Sequence, residues 1–263
     1  MSSTAEAGSA ARVGGPPDAA ADVAAAAAAM VAADDAAALP ARVLDLGLRE
    51  FGEVWELQKQ LVADRQRDLV PDTLILVEHP DVITLGRGAH ETDLLMVGGI
   101  PTFAIERGGG VTYHGPGQLV GYPVLHLRAH ERDLHRYLRN LEETLLRAVA
   151  DFGVAGARNP GWTGVWTAPV PSSQAVDGDA TATARPARKL ASIGVAVKRW
   201  VTLHGFALNV STELSRFRAI NPCGLEAGVM GSLTSVLERP VAMDAVKARV
   251  RHHFAEVFAR TWS

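Results

Sequence analysis

The sequence predicts an α+β domain with a mixed or antiparallel sheet and flanking helices. Predicted strands follow one another without an intervening helix in two places, residues 73–85 and 190–210, whereas a doubly wound fold alternates strands with helices. Amphipathic helices are predicted before, between and after these groups of strands. The chain has 263 residues, of which 48% are hydrophobic and 21% are charged, the composition of an ordinary globular protein.

The first half of the predicted order of helices and strands rests on hydrophobic periodicity. Residues 48–70 carry apolar side chains at helical spacing and Pro71 ends the pattern, so a helix is predicted there. Residues 73–78 form a nearly unbroken apolar run, which predicts a strand, and residues 82–85 resume extended structure. His79, between them, is interpreted as a turn residue held by Pro80. A short strand at residues 103–106 and a buried strand at residues 119–127 follow.

The second half begins with the clearest helix, predicted over residues 133–152. Its apolar side chains share one face, and Gly153 follows as a stop signal. After short extended pieces at residues 154–165, residues 190–200 and 201–210 alternate small and apolar side chains and are predicted to pair antiparallel. The order ends with a short helix over residues 212–220, whose N-cap is predicted to be Ser211 or Thr212. A turn at residues 221–224 and a last helix over residues 244–262 follow.

Two segments are predicted to lie outside the packed fold. Residues 1–40 are rich in alanine, with almost no large apolar side chains, and they lack the positive n-region of a secretory signal. A disordered tail is therefore expected. Residues 168–187 consist mainly of Pro, Ser, Ala, Thr and Asp, which predicts a mobile surface insertion. Residues 41–263 are predicted to form a single domain that contains this insertion.

Bulk properties exclude several classes of function. The formal net charge of −3 argues against a nucleic-acid-binding protein as a whole, and no apolar run has the length of a membrane span. A single cysteine excludes an internal disulfide and fits a cytoplasmic location. His126, His130 and His135 are close in sequence, but no His-Glu-x-x-His pattern or cysteine cluster accompanies them, so no metal site is predicted.

The most constrained stretch is RGGGVTYHGPGQLVGYPVLHL at residues 107–127. Glycine clusters indicate a backbone that needs positive φ or must let a ligand come close. Consecutive N–H groups of Gly108, Gly109 and Gly110 would form a concave nest for a carbonyl or carboxylate oxygen. The stretch matches neither the P-loop nor the dinucleotide-binding pattern. A glycine-rich hairpin that only turns the chain is the alternative interpretation.

The only cysteine, Cys223, lies in the polar turn Asn-Pro-Cys-Gly. This position favours a thiol that faces a cleft, although a lone cysteine is often a small buried hydrophobe. A reactive thiol needs a nearby cation or helix N-terminus, and no His or Lys lies within ten residues of Cys223. Lys189 is a candidate because it opens a predicted strand directly after the insertion. The spacing of Cys223 and Lys189 in the sequence does not by itself decide whether the two side chains are paired.

Four blocks of the sequence resemble the lipoyl(octanoyl) transferases, the octanoyl-[acyl-carrier-protein]–protein N-octanoyltransferase family. They are EHP with TLGR within residues 78–87, RGGGVTYHGPGQ at residues 107–118, RKLASIG with TLHGFALN within residues 188–209, and INPCGL at residues 220–225. The blocks occur in the family's order, and the resemblance covers roughly residues 43 to 260. Their combination is far more specific than any single block.

The resemblance implies a fold similar to the catalytic domains of lipoate ligases and biotin protein ligases. It also implies a two-step transfer, the first step of endogenous protein lipoylation. Cys223 would attack the octanoyl thioester on acyl carrier protein to give an acyl-enzyme thioester. A lysine on a lipoyl domain of a 2-oxoacid dehydrogenase complex, or on glycine-cleavage H protein, would then take the octanoyl group as an amide. No ATP or other cofactor is expected.

The resemblance assigns roles to individual residues. Lys189 would lower the pKa of the Cys223 thiol or take its proton. The expected substrate-binding residues are Arg107, Gly108, Gly109, Gly110, Val111, Thr112, Tyr113, His114, Ser192, Ile193, Gly194, Gly205, Phe206 and Ala207. Acidic carrier proteins are expected to dock on surface cations, for which the candidates are Arg132, Arg136, Arg139, Lys198 and Arg199.

Two other functions stay open from the sequence. An ATP-dependent lipoate–protein ligase has a similar glycine-rich Tyr-His segment but needs no catalytic cysteine. A non-catalytic protein that binds acylated carriers would leave Cys223 with a structural role. The position of Cys223 within Asn-Pro-Cys-Gly, together with Lys189, favours the transferase.

Overall fold

The fold is built on a large mixed sheet. The structure is a computed structural model that describes residues 38–169, 186–221 and 227–263. Within these residues the large sheet has the strand order β11-β1-β2-β6-β10-β9-β8-β7. Its strands are β1 (Leu39–Leu48), β2 (Asp72–Glu78), β6 (Gln118–Val124), β7 (Gly156–Asn159), β8 (Trp162–Thr167), β9 (Lys189–Lys198), β10 (Val201–Asn209) and β11 (Arg260–Trp262). The predicted fold class, a mixed sheet with flanking helices, is confirmed.

Strand pairing in the large sheet is parallel at one edge and antiparallel elsewhere. β1 runs parallel to β2 and β11, and the pairs from β2 to β7 are antiparallel. The predicted antiparallel pairing of residues 190–200 with 201–210 is confirmed by β9 and β10, where Gly205 lies opposite Gly194. β6 and β10 are buried along their whole length, which explains their apolar sequences.

A second, three-stranded sheet carries the glycine-rich stretch. Its strands are β3 (Val82–Leu85), β4 (Thr102–Ala104) and β5 (Val111–His114), in the order β4-β3-β5. β3 is parallel to β4 and antiparallel to β5. Since β5 precedes β6 by only three residues, this small sheet brings the glycine-rich segment to the centre of the large one.

Helices cover both faces of the large sheet. They are α1 (Phe51–Arg65), α2 (Leu134–Ala150), α3 (Leu233–Leu237) and α4 (Met243–Val257). Successive side chains of β2 point to opposite faces of the sheet and belong to two hydrophobic cores. Leu74 and Leu76 pack with α2 and α4, whereas Ile75 and Val77 pack with α1. In the described part of the chain, no helix has both the length and the apolar character that a membrane crossing requires.

The structure differs from the prediction at both ends of the sheet. β1 is not predicted, and Leu39 and Pro40, which are predicted to belong to the tail, pair with β11. The last helix ends at Val257 instead of continuing to residue 262, because Ala259 adopts a left-handed φ of 47° and β11 follows. Neither strand has a local pattern that reveals its partner, which lies more than 200 residues away in sequence.

Smaller boundaries also differ. The segment predicted as a helix over residues 212–220 is a 3-10 helix, Leu214–Ala219, with Glu213 as its N-cap in place of Ser211 or Thr212. The predicted tail at residues 1–40, the insertion at residues 168–187 and the turn at residues 221–224 lie largely outside the described residues. These three stay predictions.

A buried ion network joins β11 to the rest of the fold. The side chain of Arg260 is fully buried and donates to Asp72 Oδ2 at 2.8 Å and Glu131 Oε1 at 2.9 Å. The second oxygen of Asp72 accepts from Arg65 Nε at 2.7 Å and from the backbone N–H of His126 at 2.9 Å. One carboxylate therefore ties together β2, β11, α1 and the loop that follows β6.

Replacing Arg260 with alanine should destabilise the fold strongly. The change leaves the buried Asp72 carboxylate and Glu131 without this counter-charge, which typically costs about 3–5 kcal/mol. Arg67→Ala is the matched control, because its ion pair with Asp64 is largely exposed and surface pairs contribute about 0–1 kcal/mol. Urea unfolding measures both free energies, and equal losses in the two variants would contradict the importance of the network.

Candidate functional site

A cleft of about 680 Å³ lies beside the glycine-rich segment, β9 and β10. All the predicted substrate-binding residues except Tyr113 line it, and Lys189 lines it too. The lining residues that were not predicted from the sequence include Phe51, Ile105, Tyr122, Leu134, Leu138 and Trp162. These side chains are mostly apolar, so the cleft combines a few polar groups with a large hydrophobic wall, as is typical of small-molecule sites.

Close backbone packing positions the glycine-rich segment. Gly108 N donates to Val195 O of β9 at 2.9 Å, and Gly86 N donates to Gly110 O at 3.1 Å. A Cβ at Gly86 would lie 2.3 Å from Gly109 O, so only glycine fits there. The predicted nest of three N–H groups is wrong in this respect, because Gly108 N is already bonded to β9.

The Arg107 side chain supports the same segment. It is 7% exposed, and its Nη2 donates to the backbone oxygen and the hydroxyl of Thr84 at 2.8 and 3.0 Å. Its Nη1 donates to Gly108 O at 3.1 Å. Arg107 therefore fixes the wall of the cleft as well as lining it.

Tyr113 is the predicted site residue that does not line the cleft. Its hydroxyl donates to Asp81 Oδ1 at 2.8 Å, and its ring packs edge-on against Phe217 with centroids 5.3 Å apart. Burial and this hydrogen bond raise the pKa of the phenol. The expected contact between Tyr113 and substrate is corrected accordingly: its side chain belongs to a separate hydrophobic cluster.

Lys189 begins β9 and is 5% exposed. Its Nζ lies 5.6 Å from the centroid of the Trp166 ring, and its backbone oxygen accepts from Gly231 N at 2.9 Å. A lysine this buried at the edge of an apolar cleft is unusual, since lysine side chains are almost never fully buried unless they are paired.

Cys223 lies outside the described residues, and its pairing with Lys189 stays a prediction. The described residues on both sides of it contact the lining of the cleft. Asn221 N donates to the backbone oxygen of Asp93 at 2.7 Å, and Met230 forms a β-bridge with Lys189. Asp93 and Lys189 both line the cleft.

Three buried histidines lie on the α1 side of the site. His79 was interpreted as a turn residue, but it is fully buried, with Nδ1 2.7 Å from Arg49 O and Nε2 2.9 Å from Tyr122 Oη. Burial lowers the pKa of His79 to about 4 and that of His114 to about 3. His204 is 1% exposed and lines the cleft at a left-handed φ of 61°, and burial lowers its pKa to about 4. All three rings are therefore neutral near pH 7.

Some of the surface cations that are predicted to bind acidic carrier proteins form contacts within this chain. Arg139 pairs with Glu142 at 2.6 Å and Lys198 with Glu106 at 2.8 Å. Arg132 lies over the exposed Trp200 ring, 5.5 Å from its centroid. Leu134, beside Arg132, lines the cleft, so this surface adjoins the site.

Among the described residues, only His252, His253 and Glu256 group in a way that could hold a metal ion. All three lie on α4 and none lines the cleft. Hydrogen bonds account for their geometry: His253 Nε2 is 2.8 Å from Asp151 Oδ2 and its Nδ1 is 3.3 Å from Glu256 Oε2. His126, His130 and His135 form no such group in the described structure.

Comparisons with known proteins agree with this architecture. The model of the lipoyl protein ligase A/B catalytic domain family matches residues 50–255. The octanoyltransferase of Syntrophotalea carbinolica is 48% identical over 220 residues, covering 84% of this chain and 95% of the relative. The octanoyltransferase of Geobacter metallireducens is 50% identical over 212 residues, covering 81% of this chain and 91% of the relative.

Solved structures show the same fold at much lower identity. A bipartite lipoate protein ligase from Thermoplasma acidophilum has a TM-score of 0.62 at 17% identity, covering 86% of each chain. A lipoate-protein ligase A bound with ATP has a TM-score of 0.60 at 16% identity, covering 86% of this chain and 88% of the other. The resemblance noted in the four sequence blocks is confirmed by the octanoyltransferases, which match nearly over their full length. This chain belongs to the lipoyl protein ligase A/B catalytic domain family and, within it, to the octanoyltransferases.

Proposed function

We propose that this protein transfers an octanoyl group from acyl carrier protein to the lysine of a lipoyl domain, through a thioester on Cys223. The main support is the identity of about half of the aligned residues with octanoyltransferases over most of the chain. The cleft adds a physical argument, because its apolar wall suits an acyl chain and Lys189 supplies a buried cation.

Acyl transfer to a protein lysine needs a protein acceptor. The lipoate ligase of Thermoplasma acidophilum is described together with its E2 lipoyl domain, and this chain shares its fold. A lipoyl-domain protein is therefore the expected class of acceptor, with 2-oxoacid dehydrogenase complexes and glycine-cleavage H protein as the candidates.

The first step exchanges one thioester for another. The Cys223 thiolate attacks the octanoyl carbonyl carbon, the new C–S bond forms and the C–S bond to the carrier breaks. The carrier leaves as a thiolate and takes up the proton that Cys223 gave up. Lys189 stabilises the thiolate or takes the thiol proton. The two thioesters are close in free energy and the final amide is less reactive, so neither ATP nor another cofactor is needed.

The second candidate is an ATP-dependent lipoate ligase, because the similar solved structures include one bound with ATP. Fold alone does not separate the two reactions. The higher identity to octanoyltransferases and the cysteine in Asn-Pro-Cys-Gly favour acyl transfer. A non-catalytic carrier-binding protein explains neither feature.

Mixing the protein with octanoyl acyl carrier protein in the absence of ATP should add one octanoyl group, detected by intact-protein mass. The adduct should be labile to hydroxylamine and should discharge to an unmodified lipoyl domain. Cys223→Ala is the control and should give no adduct. An adduct on the alanine variant would exclude Cys223 as the acylated residue. Absence of adduct and transfer in the wild type, with octanoyl-AMP formed once ATP is supplied, would identify a ligase instead.

Lys189→Ala should lower the acylation rate at pH 7 by about 10²-fold or more, the usual contribution of an acid–base group. Without the nearby cation, the thiol returns toward a pKa of about 8.5, so the rate in this variant should rise as the pH approaches that value. Lys189→Arg keeps the charge but cannot take a proton, and its rate separates the two roles. Wild-type rates in the alanine variant across neutral pH would remove Lys189 from the mechanism.

Added salt should raise the KM for the acidic carrier, since charges that attract at long range are screened within about 10 Å at 0.1 M. Arg132→Glu and Arg136→Glu should raise this KM at low salt and reduce its salt dependence. Arg251→Glu, on the exposed surface of α4, is the control. A KM that does not change with salt would exclude electrostatic docking on this surface.

A further inference from the structure

Exposed apolar side chains lie beside the cleft on the segment between β3 and β4. Leu95 is 58% exposed and Met96 is 72% exposed. Among the described residues, no other large apolar side chains are exposed at consecutive positions. Asp93, two residues before Leu95, lines the cleft. Single exposed apolar residues need no explanation, but a neighbouring pair beside a binding cleft indicates a surface that contacts another molecule. We call residues 90–96 the rim segment.

Hydrogen bonds hold the rim segment in place. The backbone N–H groups of Leu95 and Met96 both donate to Ala219 O, at 2.9 and 3.2 Å. Asn221 N donates to Asp93 O at 2.7 Å. The backbone that carries the exposed side chains is therefore fixed before a partner binds, which reduces the entropy lost on binding.

Asp93 places a carboxylate at the entrance of the cleft. It is the only acidic residue among the described residues that line the cleft. Its Oδ2 accepts from the backbone N–H of His90 at 2.8 Å, and His90 lines the cleft too. Because Asp93 is half-buried and His90 is exposed, this part of the lining meets the solvent. In residues 38–169, 186–221 and 227–263, no basic side chain forms an ion pair with Asp93.

The charge of Asp93 indicates which reactant passes it. The octanoyl thioester of the donor is neutral, whereas the acceptor lysine is an ammonium at pH 7. The other charged residues of the lining that are always cationic or normally so, Arg107 and Lys189, repel an ammonium. Asp93 attracts it, since opposite charges stabilise each other near a protein surface. The entrance beside Asp93 therefore suits the acceptor lysine.

A lysine side chain is short, so the protein that presents it must contact the entrance of the cleft itself. Leu95 and Met96 supply the apolar part of such a contact. Arg87 and Arg218 lie on either side of the rim segment in the sequence, both are exposed, and within the described part of the chain neither forms an ion pair. They suit the acidic surface that is expected of the acceptor protein.

We propose that the rim segment is the docking site of the acceptor lipoyl domain, an inference that rests on the proposed function. Leu95 and Met96 contact the domain, and the Asp93 carboxylate pairs with the ammonium of its lysine as the lysine enters. Farther into the cleft, Arg107 and Lys189 favour the neutral amine, which is the form that attacks a thioester. Asp93 thus acts on binding of the lysine and not on the bond-making step.

Asp93→Asn should raise the KM for an unmodified E2 lipoyl domain about tenfold, the worth of one hydrogen bond to a charged group. The limiting rate at which the domain discharges the octanoyl-enzyme should stay the same. Asparagine keeps the acceptor for His90 N, so the turn is preserved. Glu91→Gln is the matched control, because Glu91 is exposed and does not line the cleft, and it should keep the wild-type KM.

Hydroxylamine provides a second control within the same variant. It is a small neutral nucleophile at pH 7, so it should discharge octanoyl-Asp93→Asn as fast as the wild-type adduct. A lower limiting rate with saturating lipoyl domain, or a loss confined to acylation by the donor, would overturn the proposal, and so would an unchanged KM. Absence of any wild-type adduct would instead refute the proposed function.

Docking can also be measured without any acyl group. Isothermal titration of the full chain with the unmodified E2 lipoyl domain should show binding that weakens at least about fivefold in the double variant Leu95→Ser, Met96→Ser, the effect of losing a typical interface contact. Leu69→Ser is the control, because Leu69 is 64% exposed and does not line the cleft. Equal affinities of the double variant and the wild type would overturn the proposed docking site, whatever the chemistry of transfer.

Discussion

The site depends on close contact between backbones at the glycine-rich segment. Gly108 bonds to Val195 of β9, and a Cβ at Gly194 of β9 would lie only 3.0 Å from Gly108 O. A Cβ at Gly86 would lie 2.3 Å from Gly109 O. This contact brings the small sheet over the large one and forms the cleft between them. The Arg107 guanidinium then fastens the segment through Thr84. Side chains line the cleft, but main-chain packing creates it.

Much of the fold could be predicted because its signals are local. The apolar runs of β2 and β6, the amphipathic face of α2 and the hairpin of β9 with β10 all follow from residue periodicity. β1 and β11 could not be predicted in the same way, because their pairing joins the two ends of the described domain. The buried Arg260 that stabilises β11 is recognisable only once Asp72 and Glu131 are seen beside it.

In the candidate site, too, the features that depend on local sequence could be predicted and those that depend on packing could not. Motif similarity located Lys189, the glycine-rich segment and the β9–β10 residues, because these lie in contiguous blocks. It could not show that Tyr113 faces away from the cleft or that His79 is buried, since both depend on what packs against them. Phe51 and Leu138 were missed because an apolar residue on a helix gives no sign of whether it faces a core or a ligand.

The position of β11 has a consequence for how this chain folds. β1 can pair with β2 as soon as both have been synthesised. The outer edge of β1 gains its partner strand, and the carboxylates of Asp72 and Glu131 gain Arg260, only when residues 260–262 are present. Contacts of such long sequence separation slow folding, and an uncovered strand edge invites pairing with other chains. During synthesis, the nascent domain therefore passes through an interval in which most of its sheet can form while one edge lacks β11 and the carboxylates of Asp72 and Glu131 lack Arg260.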